Sequence, residues 1–336
     1  MAQRQPASPG VAIRHLITGV AGFVGSQLAD ALLADGDEVA GVDDFYLGRR
    51  EHLADARRQA GFSFVEADVS DPRVATDAFR KLCGAAGPPD IVWHLAANSD
   101  IAAGVADPSL DFVRTLATTF AVLRAAEAVG AKALAFASTS AVYGETDRVL
   151  TEDLGPLLPI SGYGAAKLAG EALVSAAAET QLERIWIFRF PNVVGPRTTH
   201  GAMHDFVARL ARRPASLRVL GDGAQTKPYL HVTELIGAMR FITAHAQARR
   251  NLFNIGPDGE GTRVSFMAQA IIDRMAPGTP IAYAGGDRGW VGDVPRFAYS
   301  TERLARLGWR PQLSSDQAVL RAADELTASA AVGQDA

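Results

Sequence analysis

The chain has a single cysteine, Cys83, among its 336 residues. An internal disulfide is therefore excluded, and the composition fits a reducing, cytoplasmic setting. Neither sign of charge dominates, since 33 Lys+Arg stand against 37 Asp+Glu for a net of −4. That balance argues against nucleic-acid binding driven by bulk charge and leaves no polybasic membrane anchor. No apolar run reaches the roughly 18 residues that a spanning helix needs. The first ten residues lack the apolar stretch of a signal peptide. No internal repeat or low-complexity linker divides the chain.

What the sequence does have is alternation. Short apolar runs at 13–18, 38–43, 62–66, 91–95, 133–137 and 185–190 are separated by segments of helical period, notably 23–34, 109–129 and 163–179. Strand–helix alternation of this length predicts an α/β fold, a doubly wound parallel sheet with helices on both faces. After Pro191 the rhythm breaks: Pro and Gly recur and polar residues cluster, until 251–256 reads as a late strand returning to the main sheet. The division expected is a first unit over 11–190, joined by 232–256, and a smaller lobe over 191–231 and 257–326. Residues 1–10 and 329–336 are expected to be flexible tails. In open sheets of this kind the ligand site lies at the carboxyl ends of the strands.

Gly19-Val20-Ala21-Gly22-Phe23-Val24-Gly25 follows the first strand and opens a helix. Glycines at this spacing allow a tight turn, close approach of backbone to a pyrophosphate, and close helix–strand contact. The helix N-terminus then offers free N–H groups to the phosphates. Asp43 closes the second strand, near the ~20-residue spacing expected of a carboxylate that holds an adenosine ribose. Such a carboxylate repels a 2′-phosphate and so favours NAD over NADP, although Arg49 and Arg50 follow closely. Asp43 and Asp44 read alternatively as a turn-capping pair. Asp68-Val69 ends the third strand, where Asp68 either meets an adenine amino group or caps the next helix.

Tyr163 and Lys167 lie four apart in an alanine- and glycine-rich segment, on one helix face. A tyrosine of ordinary pKa, about 10, is a poor base at neutral pH, and a neighbouring ammonium is expected to lower that pKa. The pair suits removal of a proton from a sugar hydroxyl while hydride leaves the same carbon. Ser138-Thr139-Ser140 lies just past an apolar strand, placing hydroxyls where the cleft should be. The other reading of these hydroxyls is a strand-end turn satisfied by its own backbone.

Taken in order, the glycine loop, Asp43, His94-Leu95-Ala96-Ala97, Ser138-Thr139-Ser140-Ala141-Val142-Tyr143-Gly144, Tyr163-x-x-x-Lys167 and Arg189-Phe190-Pro191-Asn192-Val193-Val194-Gly195-Pro196 resemble the extended short-chain dehydrogenase/reductase family, and within it the nucleotide-sugar epimerases. The resemblance runs from about Arg14 to about Glu325. It implies a Rossmann sheet binding NAD, with a C-terminal α/β lobe for the nucleotide sugar, a UDP-sugar being favoured. By position it implies Thr139, Tyr163 and Lys167 as the catalytic set. It places Gly19, Gly22, Phe23, Val24, Gly25, Asp43, Asp44, Asp68, Val69, Leu95, Ala96 and Ala97, with Tyr163 and Lys167, on the cofactor. Ser138, Ser140, Asn192, Arg197, Lys227, Tyr229, Arg288 and Asp293 fall on the substrate. It also implies a homodimer built through the helices at 109–129 and 163–179.

The chain departs from the family at two points. Lys227-Pro228 stand where the family has Arg-Asp, which keeps the charge but loses the bidentate fork. Thr115 stands where many members carry Asn. Ser140-Ala141 follow Thr139 where 4,6-dehydratases need Asp-Glu, which leaves water elimination without its acid. Ala141 likewise argues against a decarboxylase. An epimerase acting on a UDP-uronic acid stays open if Arg197 meets the sugar carboxylate. A non-catalytic NAD sensor on the same fold is disfavoured by the retained Tyr163, Lys167 and Thr139. His200 and His204 have a metal-like spacing, but Gly201 interrupts the helix and no third ligand is evident, so no metal is expected. Trp290 and Trp309 are read as packing residues.

Overall fold

The computed structural model describes residues 12–259, 261–289 and 294–332. Six strands, β1 (Arg14–Thr18), β2 (Glu38–Asp43), β3 (Phe62–Glu66), β4 (Ile91–His94), β5 (Ala133–Thr139) and β6 (Arg184–Phe190), are joined by a seventh, Arg250–Asn254, in one sheet. The order from one edge is Arg250–Asn254, β6, β5, β4, β1, β2, β3, and every pairing is parallel. Strand order therefore reverses between β1 and β4, which opens a crevice above their carboxyl ends.

The apolar runs are continuous because both faces of the sheet are covered. In β5, Ala133 and Ala135 join one core while Leu134 and Phe136 join the other. In β6, Trp186 and Phe188 pack on the first side and Ile185 and Ile187 on the second. The first core is closed by helix α1 (Phe23–Ala34) and helix Val232–His245. The second is closed by α2 (Pro72–Cys83), Thr118–Ala128 and Gly162–Thr180. Cys83 lies buried in the second core as a free thiol.

A third core belongs to the smaller lobe, where Met203, Phe206 and Leu210 pack with Leu217, Val219, Met267, Ile271 and Val319. Two-residue and three-residue strands, such as Thr226–Lys227 and Tyr229–His231, supply its short sheets. His231 pins the final helix, its Nε2 lying 2.8 Å from Glu325. The stretch 257–326 is not uniform, because Leu304 of helix Glu302–Leu307 sits in the first core, with Trp309 packed beside it. The tail expected from 329 is helical at its start, since the last helix runs Ser315–Val332 and Ser329 Oγ donates to the Glu325 carbonyl. Trp290 and the tail 1–10 lie outside the described residues.

The helix expected over 109–129 is broken. A short turn, Pro108–Asp111, leads into a π-helical stretch, Phe112–Ala117, and only then into α-helix Thr118–Ala128. Threonine hydroxyls hold this register. Thr118 Oγ donates five residues back to the Val113 carbonyl at 3.1 Å, and Thr119 Oγ donates to Thr115 at 2.7 Å.

Among the described residues no helix is long and apolar enough to cross a membrane.

Candidate active site

A cavity of about 690 Å³ runs across the crevice. Its floor begins at the loop after β1. Gly19 has φ +73°, and a Cβ there would come within 2.8 Å of the Ala96 backbone nitrogen. At Gly25 a Cβ would stand 2.1 Å from the Gly19 carbonyl oxygen. Any side chain at either position would fill the cradle, so the backbone is left bare at the N-terminus of α1 to meet an anionic diphosphate.

Asp43 ties this loop to the end of β2. Its Oδ2 accepts from Ala21 N at 2.9 Å and its Oδ1 from Phe45 N at 2.7 Å. The carboxylate caps the turn and also lines the cavity with lone pairs to spare. Burial pushes its pKa up, against the two backbone N–H bonds. Asp68 is not the cap of α2, a task done by Asp71, which accepts from Arg73 N and Val74 N. Asp68, Val69, Asp44, Leu95, Ala96, Ala97, Phe23 and Val24 all line the cavity. Arg49 and Arg50 do not. Arg50 holds Glu66 through two bonds of 2.9 and 2.7 Å and lies over the Phe45 ring.

At the other end of the cavity stand Thr139, Tyr163 and Lys167. Thr139 ends β5 and accepts from Ala141 N at 3.1 Å, and it lines the cavity together with Tyr163. Ser161 caps the helix that carries Tyr163 by accepting from Gly164 N at 3.1 Å. The lysine departs from expectation. Lys167 Nζ donates to the Ala137 carbonyl at 2.7 Å and lies 5.9 Å from the Tyr163 ring centroid. The tyrosine pKa is accordingly not lowered. Burial pushes it well above its ordinary value, the nearby Asp111 carboxylate adds to this, and only the Thr139 hydroxyl opposes it. Lys167 itself is pulled down to about 7 by burial, with Glu171 working against the fall.

Beneath these groups runs a buried polar network. Ser138 Oγ donates to Glu171, which also receives Arg189 Nε at 2.8 Å and Nη2 at 2.6 Å. Ser138 therefore faces away from the cavity, a correction to its expected contact with substrate. Alternation along β5 explains it, since Thr139 takes the cleft and Ser138 the interior. On the same side of the sheet, His94 bonds Thr18 at 2.9 Å and Thr119 at 3.1 Å, and full burial lowers its pKa to about 3.

Ser140, Asn192, Lys227 and Tyr229 line the cavity. Two arginines do not. Arg197, at φ +66°, turns back to the sheet lobe, where it pairs with Asp30 at 2.6 Å and Asp55 at 3.4 Å. Arg288 holds Glu145 at 2.8 Å, and only the neighbouring Gly289 reaches the lining. Local acids thus outcompete a distant ligand role for both. Asp293 lies outside the described residues. His200 lies outside the helix, which begins at Ala202 after Gly201, and it lines the cavity where it meets the Ser99 backbone.

No motif announces Arg114, Tyr46, Ser99 or Asp100, yet all four line the cavity. An irregular helix and two loops bring them there, and no fixed spacing announces either.

Comparison with known proteins agrees with this geometry. The model described as "NAD dependent epimerase/dehydratase family" matches residues 15–256. The UDP-glucose 4-epimerase of Mycolicibacterium smegmatis is 32% identical over 318 residues, covering 92% of this chain and 97% of that protein. The UDP-glucuronic acid decarboxylase 4 of Arabidopsis thaliana is 30% identical over 91% of this chain and 66% of its own length. Among solved structures, the Thermus thermophilus UDP-glucose 4-epimerase in complex with NAD superposes with a TM-score of 0.81 at 28% identity, over 93% of this chain and 98% of that one. The glycine cradle and the carboxylate after β2 fit the same dinucleotide, and the chain is NAD-dependent. A matched span from β1 to just past the seventh strand takes in the whole sheet, its phosphate loop and the Tyr163–Lys167 helix, and so the chain belongs to the NAD dependent epimerase/dehydratase family.

Proposed function

We propose that the protein is an epimerase that inverts C4 of a nucleotide-activated sugar, a UDP-hexose, through a 4-keto intermediate. One observation carries this reading: Tyr163, Thr139 and Lys167 line the same cavity as the dinucleotide cradle. NAD, when bound, supplies a reversible acceptor for hydride. Gly19, Gly22 and Gly25 hold its diphosphate and Asp43 its ribose. Tyr163 takes the hydroxyl proton from the sugar and Thr139 orients the reacting oxygen, while Lys167, bonded to the Ala137 carbonyl, ties the Tyr163 helix to β5 at the cleft. Asn192, Lys227 and Tyr229 hold the nucleotide, so that the sugar itself stays free to turn over.

Other reactions of the family lack their equipment here. No acid follows Thr139, where Ser140 and Ala141 stand, so elimination of water and loss of a carboxylate have no donor. Arg197 is committed to Asp30 and Asp55, which removes the expected partner of a uronate carboxylate.

The test is incubation with UDP-glucose, UDP-N-acetylglucosamine and UDP-glucuronate, followed by proton NMR. A 4-epimer of one of the first two is expected. Release of CO₂, a 4-keto-6-deoxy product, or no turnover with NAD bound would overturn the reading.

A homodimer belongs to the same proposal. Phe112 and Phe120 are 62% and 49% exposed, beside the helix that carries Tyr163, and a second copy would cover them. Sedimentation of the Phe112→Asp/Phe120→Asp variant is expected to show monomer where the parent shows dimer. A monomeric parent would sink this part. A cytoplasmic setting completes the proposal and agrees with the reduced, buried Cys83.

A further inference from the structure

Three carboxylates crowd the end of the cavity beside the glycine loop: Asp43, Asp44 and Asp68. One cation stands among them. Arg114 pairs with Asp44 and lies 3.5 Å from Asp68, and its guanidinium sits 4.2 Å from the centroid of the Tyr46 ring. All of these residues line the cavity. Arg114 is carried by the π-helical stretch Phe112–Ala117. Each residue of a helix turns the chain by about 100°, so one extra residue in a turn re-aims the side chains relative to the helix that follows. Here it allows Arg114 to face β2 and β3 while Thr115 Oγ faces inward, accepting from Asn98 N at 3.1 Å.

We propose that Arg114 is a cofactor-positioning residue, which offsets the charge of Asp44 and Asp68 so that the adenosine half of NAD meets less uncompensated negative charge beside Asp43. The inference rests on the NAD reading of this site. NAD carries an anionic diphosphate, and uncompensated carboxylates along its path repel it. Arg114 also links the loop after β2, through Asp44, to the segment after β3, through Asp68. A π-turn has a structural cost, and delivery of this guanidinium gives it a purpose.

The experiment compares binding of NAD⁺ and of ADP-ribose by isothermal titration calorimetry in the intact protein. Arg114→Met is expected to weaken both ligands in parallel, by roughly tenfold, with the deficit shrinking as salt rises. Arg114→Lys is expected to recover part of the loss. The double variant Arg114→Met/Asp44→Asn is expected to return to within about threefold of the parent, because the carboxylate that Arg114 pairs with is then neutral. A merely structural role would not be rescued by removing a further contact. Parent-like affinity in Arg114→Met, or a double variant as weak as the single one, overturns the proposal. If Arg114→Met does not fold, Asp44→Asn decides: with the guanidinium released it should bind NAD⁺ several-fold more tightly, and unchanged or weaker binding overturns the proposal. A parent that binds NAD⁺ beside variants that bind it equally well sinks Arg114 alone. A parent that binds neither ligand removes the cofactor site with it.

Discussion

Tyr163→Phe deletes one oxygen and keeps the ring that lines the cavity. Turnover should fall by about 10²–10⁴, while NAD binding stays within about twofold, because the proposed base is lost and the ring that faces the cofactor is kept. A stopped assay paired with an NAD titration checks this. His94 offers a second test. Its imidazole is held neutral between Thr18 and Thr119, with a pKa of about 3 against an ordinary 6.5. The folded protein therefore binds fewer protons than the unfolded chain between those values. Stability from this site is complete above pH 6.5 and is lost as pH falls toward 3, at up to about 1.4 kcal/mol per pH unit. Urea denaturation from pH 7 to pH 4 should show the loss, and His94→Gln should flatten that slope. A parent curve no steeper than the variant's would contradict it.

At the scale of single elements, helix Gly162–Thr180 presents Tyr163 and Lys167 to the cleft and Glu171 to the interior. Glu171 joins β5, through Ser138, to β6, through Arg189, with both members of the ion pair buried. Glu171→Ala leaves a buried guanidinium without its partner and should cost about 3–5 kcal/mol in urea denaturation. The same change removes the charge that props up the Lys167 pKa, so that amine should titrate below about 7.

The limits of sequence reading are clearest at this scale. Helix α1 and strands β2 and β3 fall where hydrophobic period and glycine spacing place them, because local pattern and packing agree there. The Tyr163–Lys167 spacing was legible for the same reason. The π-turn was not, since it depends on which carbonyl each threonine hydroxyl chooses, and Arg114 went unnoticed with it. Ser138 and Thr139 are adjacent hydroxyls whose strand alternation sends one inward, and only the register against β6 decides which. Arg197 looked like an anion contact because Asp30 and Asp55 are distant in sequence though near in space.

For the whole molecule, the two lobes meet along the cavity, and Arg197 crosses from the smaller lobe to Asp30 on α1. Arg197→Gln should leave KM for the nucleotide sugar within about twofold and reduce stability by no more than about 1 kcal/mol, as expected of a half-exposed pair. A large rise in KM for UDP-glucuronate, against little change for UDP-glucose, would restore the arginine to the site and reopen the uronate reading.

The seventh strand has one more consequence, for biosynthesis. Arg250–Asn254 shields the outer side of β6, yet the ribosome delivers it only after the whole stretch 191–249 has emerged. Until then the nascent chain presents a bare row of backbone donors and acceptors flanked by Trp186 and Phe188. That interval invites pairing with other chains, and translation speed across 191–249 sets how long it lasts.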